Sequence, residues 1–367
     1  MKAKTSFSTL SNPALAAAAL AGEIGHGDNR LVVYFASSQY EPVTLAREMA
    51  AAFPGVTLFG CTTAGEIVTG QMLDKSIVAM ALGSELVRNV NIVVAEGISS
   101  DGRGATKGAI RSLEGMVKSK LVELDSEKFA GLILCDGLAG AEEAVMDEIG
   151  NASNLTFVGG SSGDDLQFKK THIFVNDRAY SDVAAIGLIE MAVPFRAIKT
   201  QSFRVLDKAL VATKVDEHRR EVLEFDGKPA AHAYADALGV PVSALSGQFM
   251  RYPLGLLAEG EPFVRSPQAV DGTKIRFYCQ ILEGMVMHVL ESTDIVADTR
   301  RDISNLGAAS ALLNFNCILR TLELKDKGQC SAYAGLFNSV PTVGFSTYGE
   351  AYIGHINQTA TILVIGS

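Results

Sequence analysis

The chain has 367 residues and a formal net charge of −9, with 48% hydrophobic and 20% charged residues. This composition indicates a folded globular protein of about two domains and excludes disordered, collagen-like and fibrous classes. The acidic balance, with only isolated arginine pairs, argues against nucleic acid and anionic membranes as partners. No apolar run approaches the length of about 18 residues that inserts into a membrane.

The cysteines and the N-terminus bear on the cellular compartment. Five cysteines are widely spaced without a Cys-x-x-Cys pair, which disfavours a zinc ribbon or covalent haem attachment and favours a reducing environment. Basic residues before the Ala-rich run at 14–21 imitate a signal peptide, but alanine is only modestly hydrophobic and favours a helix. We therefore predict a helix there that packs on the first strand, in a cytoplasmic protein.

The first predicted elements form a strand, a helix and a second strand that runs into a glycine turn. An apolar strand at 31–35 is followed by a helix at 42–53 with apolar residues on one face. A strand at 56–59 then leads into Gly60-Cys61-Thr62-Thr63-Ala64-Gly65-Glu66. Apolar runs of this length between turn residues are typical of buried strands.

The same pattern occurs twice more along the chain. Strands at 131–134 and 156–158 flank a helix at 142–149 and precede Gly159-Gly160-Ser161-Ser162-Gly163-Asp164. A strand at 315–319, a helix near 330–337 and the segment 341–343 precede Gly344-Phe345-Ser346-Thr347-Tyr348-Gly349-Glu350. Strand-like stretches follow each turn, at 76–82, at 172–175 with 183–189 around Asn176-Asp177, and at 361–365. The chain therefore contains three copies of one unit.

Short apolar strands that alternate with helices predict crossover units on a buried, mostly parallel sheet, to which hairpins add antiparallel strands. The predicted fold class is α/β to mixed α+β. A polar, strand-like stretch at 194–226 precedes Gly227-Lys228-Pro229 and a helix. We therefore predict an N-terminal helix and lead-in at 1–29 and two domains, at 30–225 and 226–367.

The turns carry hydroxyl and acidic side chains where strands end, and ligands of open α/β sheets bind beyond the carboxyl ends of strands. On this hypothesis Thr62, Thr63, Ser161, Ser346, Thr347, Glu66 and Glu350 line a pocket. The alternative is that glycine supplies positive φ angles, that the hydroxyl groups satisfy turn amides, and that repetition reflects duplication of a folding unit.

The three turns, the following Asn357-Gln358-Thr359, and the segments Arg251-Tyr252-Pro253-Leu254-Gly255 and Val264-Arg265-Ser266-Pro267 resemble the FIST family. The resemblance extends from about residue 31 to residue 365. It implies an intracellular sensory protein with an N-terminal and a C-terminal part, which binds a ligand, signals to a partner and has no catalytic activity. It also places Asn357 among the ligand-binding residues.

Within the FIST family, stand-alone proteins of these two parts include haem-containing nitric-oxide sensors. They control a histidine kinase or a cyclic-di-GMP synthase or phosphodiesterase. The C-terminal motif from Gly344 to Thr359, which includes His355, resembles theirs. The resemblance thus implies haem b as cofactor and nitric oxide as signal, and a homo-oligomer is a further expectation.

A haem needs an axial ligand, usually a neutral imidazole. His355, beside the third turn, is the first candidate because of the resemblance, and His232, on the predicted helix after Pro229, is the second. Either is also explained as an ordinary loop or helix histidine. Tyr348 and Tyr352 are candidates for lining the cofactor. Arg265 and Arg320 are candidates for binding its propionates, although ion pairs are the default explanation of both arginines.

Two other functions remain open from the sequence. The first is a FIST sensor of amino acids or another small polar metabolite without haem, whose ligand the turn hydroxyl and acidic groups hold directly. The second is a serine hydrolase, because Gly159, Ser161 and Gly163 have the Gly-x-Ser-x-Gly spacing of a nucleophile elbow. A helix must follow such an elbow, whereas the sequence predicts strands there.

Overall fold

The computed structural model describes residues 3–258, 260–304, 306–352 and 354–366. The chain divides into two compact units. The first comprises Met1–Thr200, Arg300–His355 and Ala360–Ser367, and the second comprises Gln201–Thr299 and Ile356–Thr359. These bounds differ from those of the sequence-predicted domains, because the chain returns to the first unit after residue 299. The predicted domains stay a prediction.

The first copy of the repeat starts with a strand and helix that precede the predicted unit. Asn12 accepts a hydrogen bond from Leu15 N (3.0 Å) and Pro13 takes the first helical position, which begins the predicted Ala-rich helix. That helix packs on the strand predicted at 31–35, since Leu20 shares an apolar cluster with Val32 and Tyr34. It also contacts a strand that was not predicted, where Ser6 Oγ donates to Glu23 Oε2 (2.6 Å). The elements are β1 (Lys4–Ser8), α1 (Pro13–Ile24), β2 (Asn29–Ser37), α2 (Pro42–Ala52), β3 (Thr57–Thr63), β4 (Glu66–Val68), β5 (Gln71–Leu73) and β6 (Ile77–Gly83).

The second copy has the same element order. Its elements are β7 (Val87–Glu96), α3 (Ile98–Val117), β8 (Phe129–Cys135), α4 (Glu142–Ala152), β9 (Phe157–Ser161), β10 (Ile173–Val175), β11 (Arg178–Tyr180) and β12 (Val183–Met191). The predicted hairpin is corrected in one respect. The turn at Asn176-Asp177 joins β10 to the short β11, whereas β12 pairs with β7 and β8.

The third copy begins with β13 (Phe195–Gln201) and is then interrupted by the second unit. The intervening elements are β14 (Phe203–Asp216), β15 (Glu221–Phe225), β16 (Lys228–Pro229), α5 (Ala230–Leu238), β17 (Leu254–Ala258), β18 (Glu261–Arg265), β19 (Pro267–Asp271), β20 (Lys274–Phe277), β21 (Val286–Ser292) and α6 (Ile295–Asp302). In the second unit, an eight-stranded sheet formed by β14 to β21 packs with α5 around Phe225, Tyr234 and Phe277.

The third copy then resumes. Its remaining elements are β22 (Ala311–Cys317), α7 (Ile318–Asp326), α8 (Cys330–Gly335), β23 (Thr342–Thr347), β24 (Glu350–Tyr352), β25 (Gly354–Ile356) and β26 (Thr359–Ile365). The strand predicted at 315–319 is wrong at its C-terminal end, because the chain already turns into α7 at Ile318. Since the last strand residue, Cys317, and the first helical residues, Ile318 and Leu319, are all apolar, hydrophobicity alone does not mark this boundary.

Three six-stranded sheets of the first unit share one order. They read β1-β6-β2-β3-β10-β11, β7-β12-β8-β9-β24-β25 and β13-β26-β22-β23-β4-β5. Each has a central parallel pair, formed by β2 with β3, β8 with β9 or β22 with β23. Each is completed by a hairpin from another copy, so the three copies exchange hairpins in a cycle. The predicted α/β to mixed α+β class is confirmed.

One apolar core lies between the inner faces of these sheets. The ring centroid of Phe35 lies 4.6 Å from that of Phe345 and 6.1 Å from that of Phe315, which joins two sheets directly. Helices α1 and α2 cover the outer face of the first sheet, and α3 and α4 cover that of the second. Strands buried on both faces explain the continuous apolar runs. Within the described ranges, no helix combines the length and hydrophobicity needed to span a membrane.

The predicted glycine turns begin too early, because the first glycines of the three motifs lie inside β3, β9 and β23. The chain turns only after these strands, at Ala64-Gly65 between β3 and β4 and at Tyr348-Gly349 between β23 and β24. Gly60, Gly159 and Gly344 stand opposite residues of the neighbouring parallel strand in the same register in all three copies. A Cβ atom would lie 1.9 Å from the carbonyl oxygen of Tyr34 at the first position. At the other two it would lie 1.8 Å from the equivalent oxygens of Ile133 and Asn314. The glycines are therefore required by close approach of two strands.

Candidate functional site

The ends of the three parallel strands are joined by a ring of backbone hydrogen bonds in the first unit. The bonds run from Gly163 N to Thr62 O (2.9 Å), from Ala64 N to Ser346 O (3.3 Å) and from Tyr348 N to Ser161 O (3.1 Å). These bonds bring the backbones of the three strand ends together. The nominated side chains there are buried, and their hydroxyl groups have separate partners: Thr62 Oγ1 accepts from His172 N (2.9 Å), and Ser161 Oγ donates to Glu142 Oε1 (3.2 Å). A shared pocket of Thr62, Thr63, Ser161, Ser346 and Thr347 stays a prediction.

The acids Glu66 and Glu350 have equivalent partners in the first and third copies. Thr63 Oγ1 donates to Glu66 Oε1, and Thr347 Oγ1 donates to Glu350 Oε1 at 2.5 Å. Glu66 Oε2 also accepts from Ser76 N (3.0 Å) and Ser76 Oγ (2.6 Å). Burial raises the pKa of Glu66 to about 8, against the lowering effect of these hydrogen bonds. Glu66 is therefore mostly protonated at neutral pH.

Tyr348 anchors the loop that follows β9. Its hydroxyl donates to Asp164 Oδ1 (2.6 Å) and accepts from Leu166 N (2.9 Å), and its ring stacks on Phe168 with centroids 5.1 Å apart. Burial is the main cause of the raised pKa of Tyr348. Asp165, Leu166 and Phe168 have positive φ angles, which are costly for residues with side chains. The contacts of Tyr348 hold the loop in this conformation.

Ser161 stands in a setting that differs from a nucleophile elbow. Its hydroxyl is buried and donates to Glu142 Oε1 at 3.2 Å. Strand β9 is followed by the irregular segment 162–172 and then by β10. A nucleophile elbow leads from its strand directly into a helix, which exposes the serine at the end of the sheet. The predicted strands after the motif are found, and the surroundings of Ser161 are those of a strand-end residue.

A layer of buried polar side chains lies between β22 and the helices α7 and α8. Its members are Asn314, Asn316, Arg320, Thr321, Tyr333 and Ser346, each at most 2% exposed. We call this set the polar layer. It includes Arg320 and Ser346, two of the residues nominated from the sequence.

Hydrogen bonds link the polar layer from end to end. Asn314 Nδ2 donates to Tyr333 Oη (3.2 Å), which donates to Asn316 Oδ1 (3.1 Å), and Arg320 Nε donates to the same oxygen (3.0 Å). Asn316 Nδ2 donates to Thr321 Oγ1 (2.9 Å), which lies 2.8 Å from Ser346 Oγ. Among the described residues, no atom forms a hydrogen bond with Asn314 Oδ1. A buried carbonyl oxygen without a donor is costly.

The polar layer distinguishes the third copy from the other two. Opposite the close-approach glycines stand Tyr34, Ile133 and Asn314, and two residues further on stand Ala36, Cys135 and Asn316. In the first two copies these positions pack into apolar cores beneath their helices. The third copy therefore buries amides where the second copy has Ile133 and Cys135 and the first has Tyr34 and Ala36. The buried hydroxyl of Tyr34, like Asn314 Oδ1, forms no hydrogen bond with the described residues.

The sequence analysis missed Asn314, Asn316, Thr321 and Tyr333. One signal for them was available in strand β22, where two asparagines stand two residues apart in the run Ala-Leu-Leu-Asn-Phe-Asn-Cys. Alternate residues of a strand share one face. A pair of amides on one face of a buried strand therefore indicates a polar environment there, whereas Thr321 and Tyr333 have no comparable pattern.

His355, the first candidate for haem ligation, is buried on β25. Its Nδ1 lies 3.1 Å from Glu143 Oε1, and carboxylates commonly orient metal-bound histidines in this way. Its Nε2 faces Gly349 so closely that a Cβ atom on that glycine would lie only 2.1 Å away. A porphyrin bonded through Nε2 would overlap this backbone, so the residues around His355 do not fit a haem in the arrangement described.

The remaining nominated residues have other surroundings. Tyr352 is half-buried on β24 opposite Val158. In the second unit, His232 is exposed on α5, and Arg265 is half-buried on β18 opposite Leu254. Asn357, also in that unit, accepts a hydrogen bond from Cys279 Sγ at 2.8 Å. The roles predicted for these residues, iron ligation by His232, cofactor binding by Tyr352 and Arg265 and ligand binding by Asn357, stay predictions.

Comparisons with known proteins assign both parts of the chain. The FIST N domain matches residues 30–228, and the FIST C domain matches residues 230–352. An uncharacterized protein of Methanocaldococcus jannaschii is 22% identical over 282 residues, which are 72% of this chain. The chain spans about half of that relative, with 54% of its length covered.

One solved structure, a cyanuric acid hydrolase from A. caulinodans, is similar over 100% of this chain and 99% of its own. The TM-score is 0.38 and the sequence identity is 12%. A similarity of this size supports no inference about activity.

Proposed function

We propose that this chain, which belongs to the FIST family, is a sensor that binds a small polar metabolite in the polar layer and signals to a partner protein. Its two matching domains are of a kind that senses small ligands in signalling. The finer proposal concerns the ligand, the place of binding and the partner. The buried, hydrogen-bond-deficient amide of Asn314 carries it.

The chemistry of the polar layer favours an amino or hydroxy acid. The guanidinium group of Arg320 is bonded to Asn316 Oδ1 and Thr200 Oγ1, and in this proposal a ligand carboxylate replaces such neutral partners, since guanidinium binds carboxylates in a planar fork. Asn314 Oδ1 is an acceptor that lacks a donor among the described residues, and an ammonium or hydroxyl group supplies one. Such a ligand complements both ends of the layer.

The signalling step in this proposal follows from the complete burial of the polar layer, which a ligand can enter only if the protein changes conformation. Its side chains are buried beneath α8, a helix of six residues that follows Gly328 at a φ angle of 64°. A ligand that enters the layer displaces Tyr333 and with it α8. Binding then shifts the population between a closed and an open arrangement, which a partner distinguishes. A histidine kinase or a cyclic-di-GMP enzyme, a cytoplasmic location and the absence of catalysis are part of this proposal.

The test is thermal-shift and calorimetric screening of the protein with a panel of amino and hydroxy acids. A ligand at about 100 times its dissociation constant raises the free energy of unfolding by about 2.7 kcal/mol. Asn314→Leu should abolish this gain, because it removes the acceptor. The variant should keep its fold without ligand, since Ile133 occupies the equivalent position of the second copy.

Tyr34→Phe is the matched control, because Tyr34 occupies the same position in the first copy. It should leave the ligand response unchanged. An equal response in Asn314→Leu and in the unaltered protein would place the ligand elsewhere.

Haem and nitric-oxide sensing is the second candidate, and the hydrogen bond between Glu143 and His355 is the observation that favours it. The motif around His355 resembles that of the haem-containing NosP sensors. The close packing of Gly349 against the ring opposes it. Haem titration monitored by absorbance tests this candidate. A saturable Soret band that responds to nitric oxide and is lost in His355→Ala would replace the metabolite proposal.

A further inference from the structure

The three sheets of the first unit end in strands of different character. Strands β1, β7 and β13 occupy the same terminal position of their sheets. Strand β1 has only five residues, and β13 carries Arg196 and Lys199. Strand β7 has ten residues and no charge between Arg88 and Glu96. Short or charged terminal strands resist pairing with other chains, whereas a long apolar one invites it.

Strand β7 presents half-buried apolar side chains along its centre. Val90, Ile92 and Val94 lie on one face and pack against the edge of the inner core. In the sheet that the described residues form, β12 is the neighbour of β7 on one side. The main-chain groups on the other side are available for a further strand.

A groove of about 540 Å³ runs between β7 and α3. Residues from Ile92 to Glu96 form one wall, and Gly104, Gly108 and Ser112 form part of the other. These three small residues are four apart and thus share one face of α3. A Cβ atom on Gly108 would meet nothing within 4 Å. The side chains on this face of α3 are therefore small enough for another helix to approach closely.

The charges of β7 complement those of a second β7. In an antiparallel pair centred on Ile92, each Arg88 faces Glu96 of the second copy, and each Val90 faces Val94. Both Arg88 and Glu96 are exposed. A parallel pair in register would instead place like charges side by side. Opposite charges across a strand pair stabilise it, and like charges destabilise it.

We propose that β7 pairs antiparallel with β7 of a second copy of this chain. The two six-stranded sheets become one continuous sheet about a twofold axis at Ile92. The axis is perpendicular to the sheet, so the two copies of α3 lie on the same face and meet through Gly104, Gly108 and Ser112. The contact uses the same surface of both subunits, as closed dimers do.

Sedimentation equilibrium of the full chain, over a concentration series from about 1 to 100 μM, tests the pairing. The expected species has twice the mass of the chain. Arg88→Glu should raise the dimer dissociation constant roughly tenfold, because the new carboxylate then faces that of Glu96 at two symmetric places. The double variant Arg88→Glu with Glu96→Arg should restore the original constant. These positions are exposed, so neither change disturbs the core.

Thr5→Lys on β1 is the control for a charge added to an equivalent terminal strand, and it should leave the mass unchanged. Gly108→Leu adds a side chain to the groove without a clash inside the subunit and favours the helix. It should yield a folded monomer. A monomer at all concentrations for the unaltered protein would overturn the proposal. A dimer that is insensitive to Arg88→Glu and Gly108→Leu would also overturn it.

Discussion

Glu66 shows at the scale of one residue how the strand ends are held together. Its carboxyl group is buried and bridges the end of β3 to Ser76 before β6. A buried carboxylate is costly. In the protonated acid Oε2 still accepts from Ser76 N and Ser76 Oγ, while the proton on Oε1 reverses the bond to Thr63, whose hydroxyl oxygen then accepts. The proton on Glu66 is thus part of the folded structure.

The pH dependence of stability should reveal this proton. The pKa of Glu66 is raised from 4.5 to about 8 on folding, so between these values the folded protein binds more protons than the unfolded chain. The contribution of Glu66 is fully present below pH 4.5 and is lost as pH rises through about 8. The free energy of unfolding should fall with pH by at most about 1.4 kcal/mol per unit.

Glu66→Gln should remove this contribution to the slope, because an amide keeps the hydrogen bonds and does not ionise. Urea denaturation at a series of pH values measures the slope. The exposed Glu127→Gln serves as control and should retain the slope of the unaltered protein. Identical slopes in the Glu66 variant and the unaltered chain would contradict the prediction.

Part of the candidate site could be predicted from single residues. The strand ends that carry Thr62, Ser161 and Ser346 were expected at one place and are joined by backbone hydrogen bonds, whereas the pocket predicted from their hydroxyl groups stays a prediction. The polar layer could not be predicted, since Tyr333 reaches Asn314 only when α8 packs on β22. Such contacts between distant residues leave no periodicity in the sequence.

At the scale of elements, the apolar runs predicted most strands, because strands buried on both faces need no polar residues. The ends of β3, β9 and β23 were not predicted, since glycine is typical of turns and also of strands that approach closely. The exchanged hairpins were not predicted either. Strand β4 pairs with β23 through Val68 and Val343, and nothing local in the chain indicates a partner so distant.

Gly159→Ala tests the close-approach explanation. Its Cβ would lie 1.8 Å from the carbonyl oxygen of Ile133, so β8 and β9 would have to separate. We expect a loss of stability on the order of 3 kcal/mol, in the range of overpacked cores. Urea denaturation measures it.

Gly150→Ala, in α4, is the matched control because a Cβ there meets nothing within 4 Å. It should stabilise the protein by up to about 1 kcal/mol, through helix propensity. Equal stability of the two variants would show that β9 tolerates a side chain at this position.

At the scale of the whole molecule, the first unit needs both ends of the chain. The sheet that receives β4 and β5 is built from β13, β22, β23 and β26, and the last three of these strands follow residue 310. The sheet of the second copy receives β24 and β25 from the same region. The match of the FIST N domain to residues 30–228 therefore describes a stretch of sequence that lacks strands of its own sheets.

A fragment of residues 1–228 should accordingly fail to fold cooperatively. Its core would be exposed where the third sheet is missing, and β9 would lack its neighbour β24. Circular dichroism with urea denaturation, compared with the full chain, measures this. A sharp, two-state transition of the fragment with a slope in proportion to its length would contradict the expectation.

Because the copies exchange hairpins, β4 is synthesised long before the strand with which it pairs. Val68 leaves the ribosome 275 residues before its partner Val343, since 343 − 68 = 275. At 5 to 20 residues per second this delay is roughly 15 to 55 s. During that time the hairpin of β4 and β5 has no sheet to join, and the inner face of the first sheet is uncovered. The nascent chain therefore keeps an apolar face exposed until translation is almost complete.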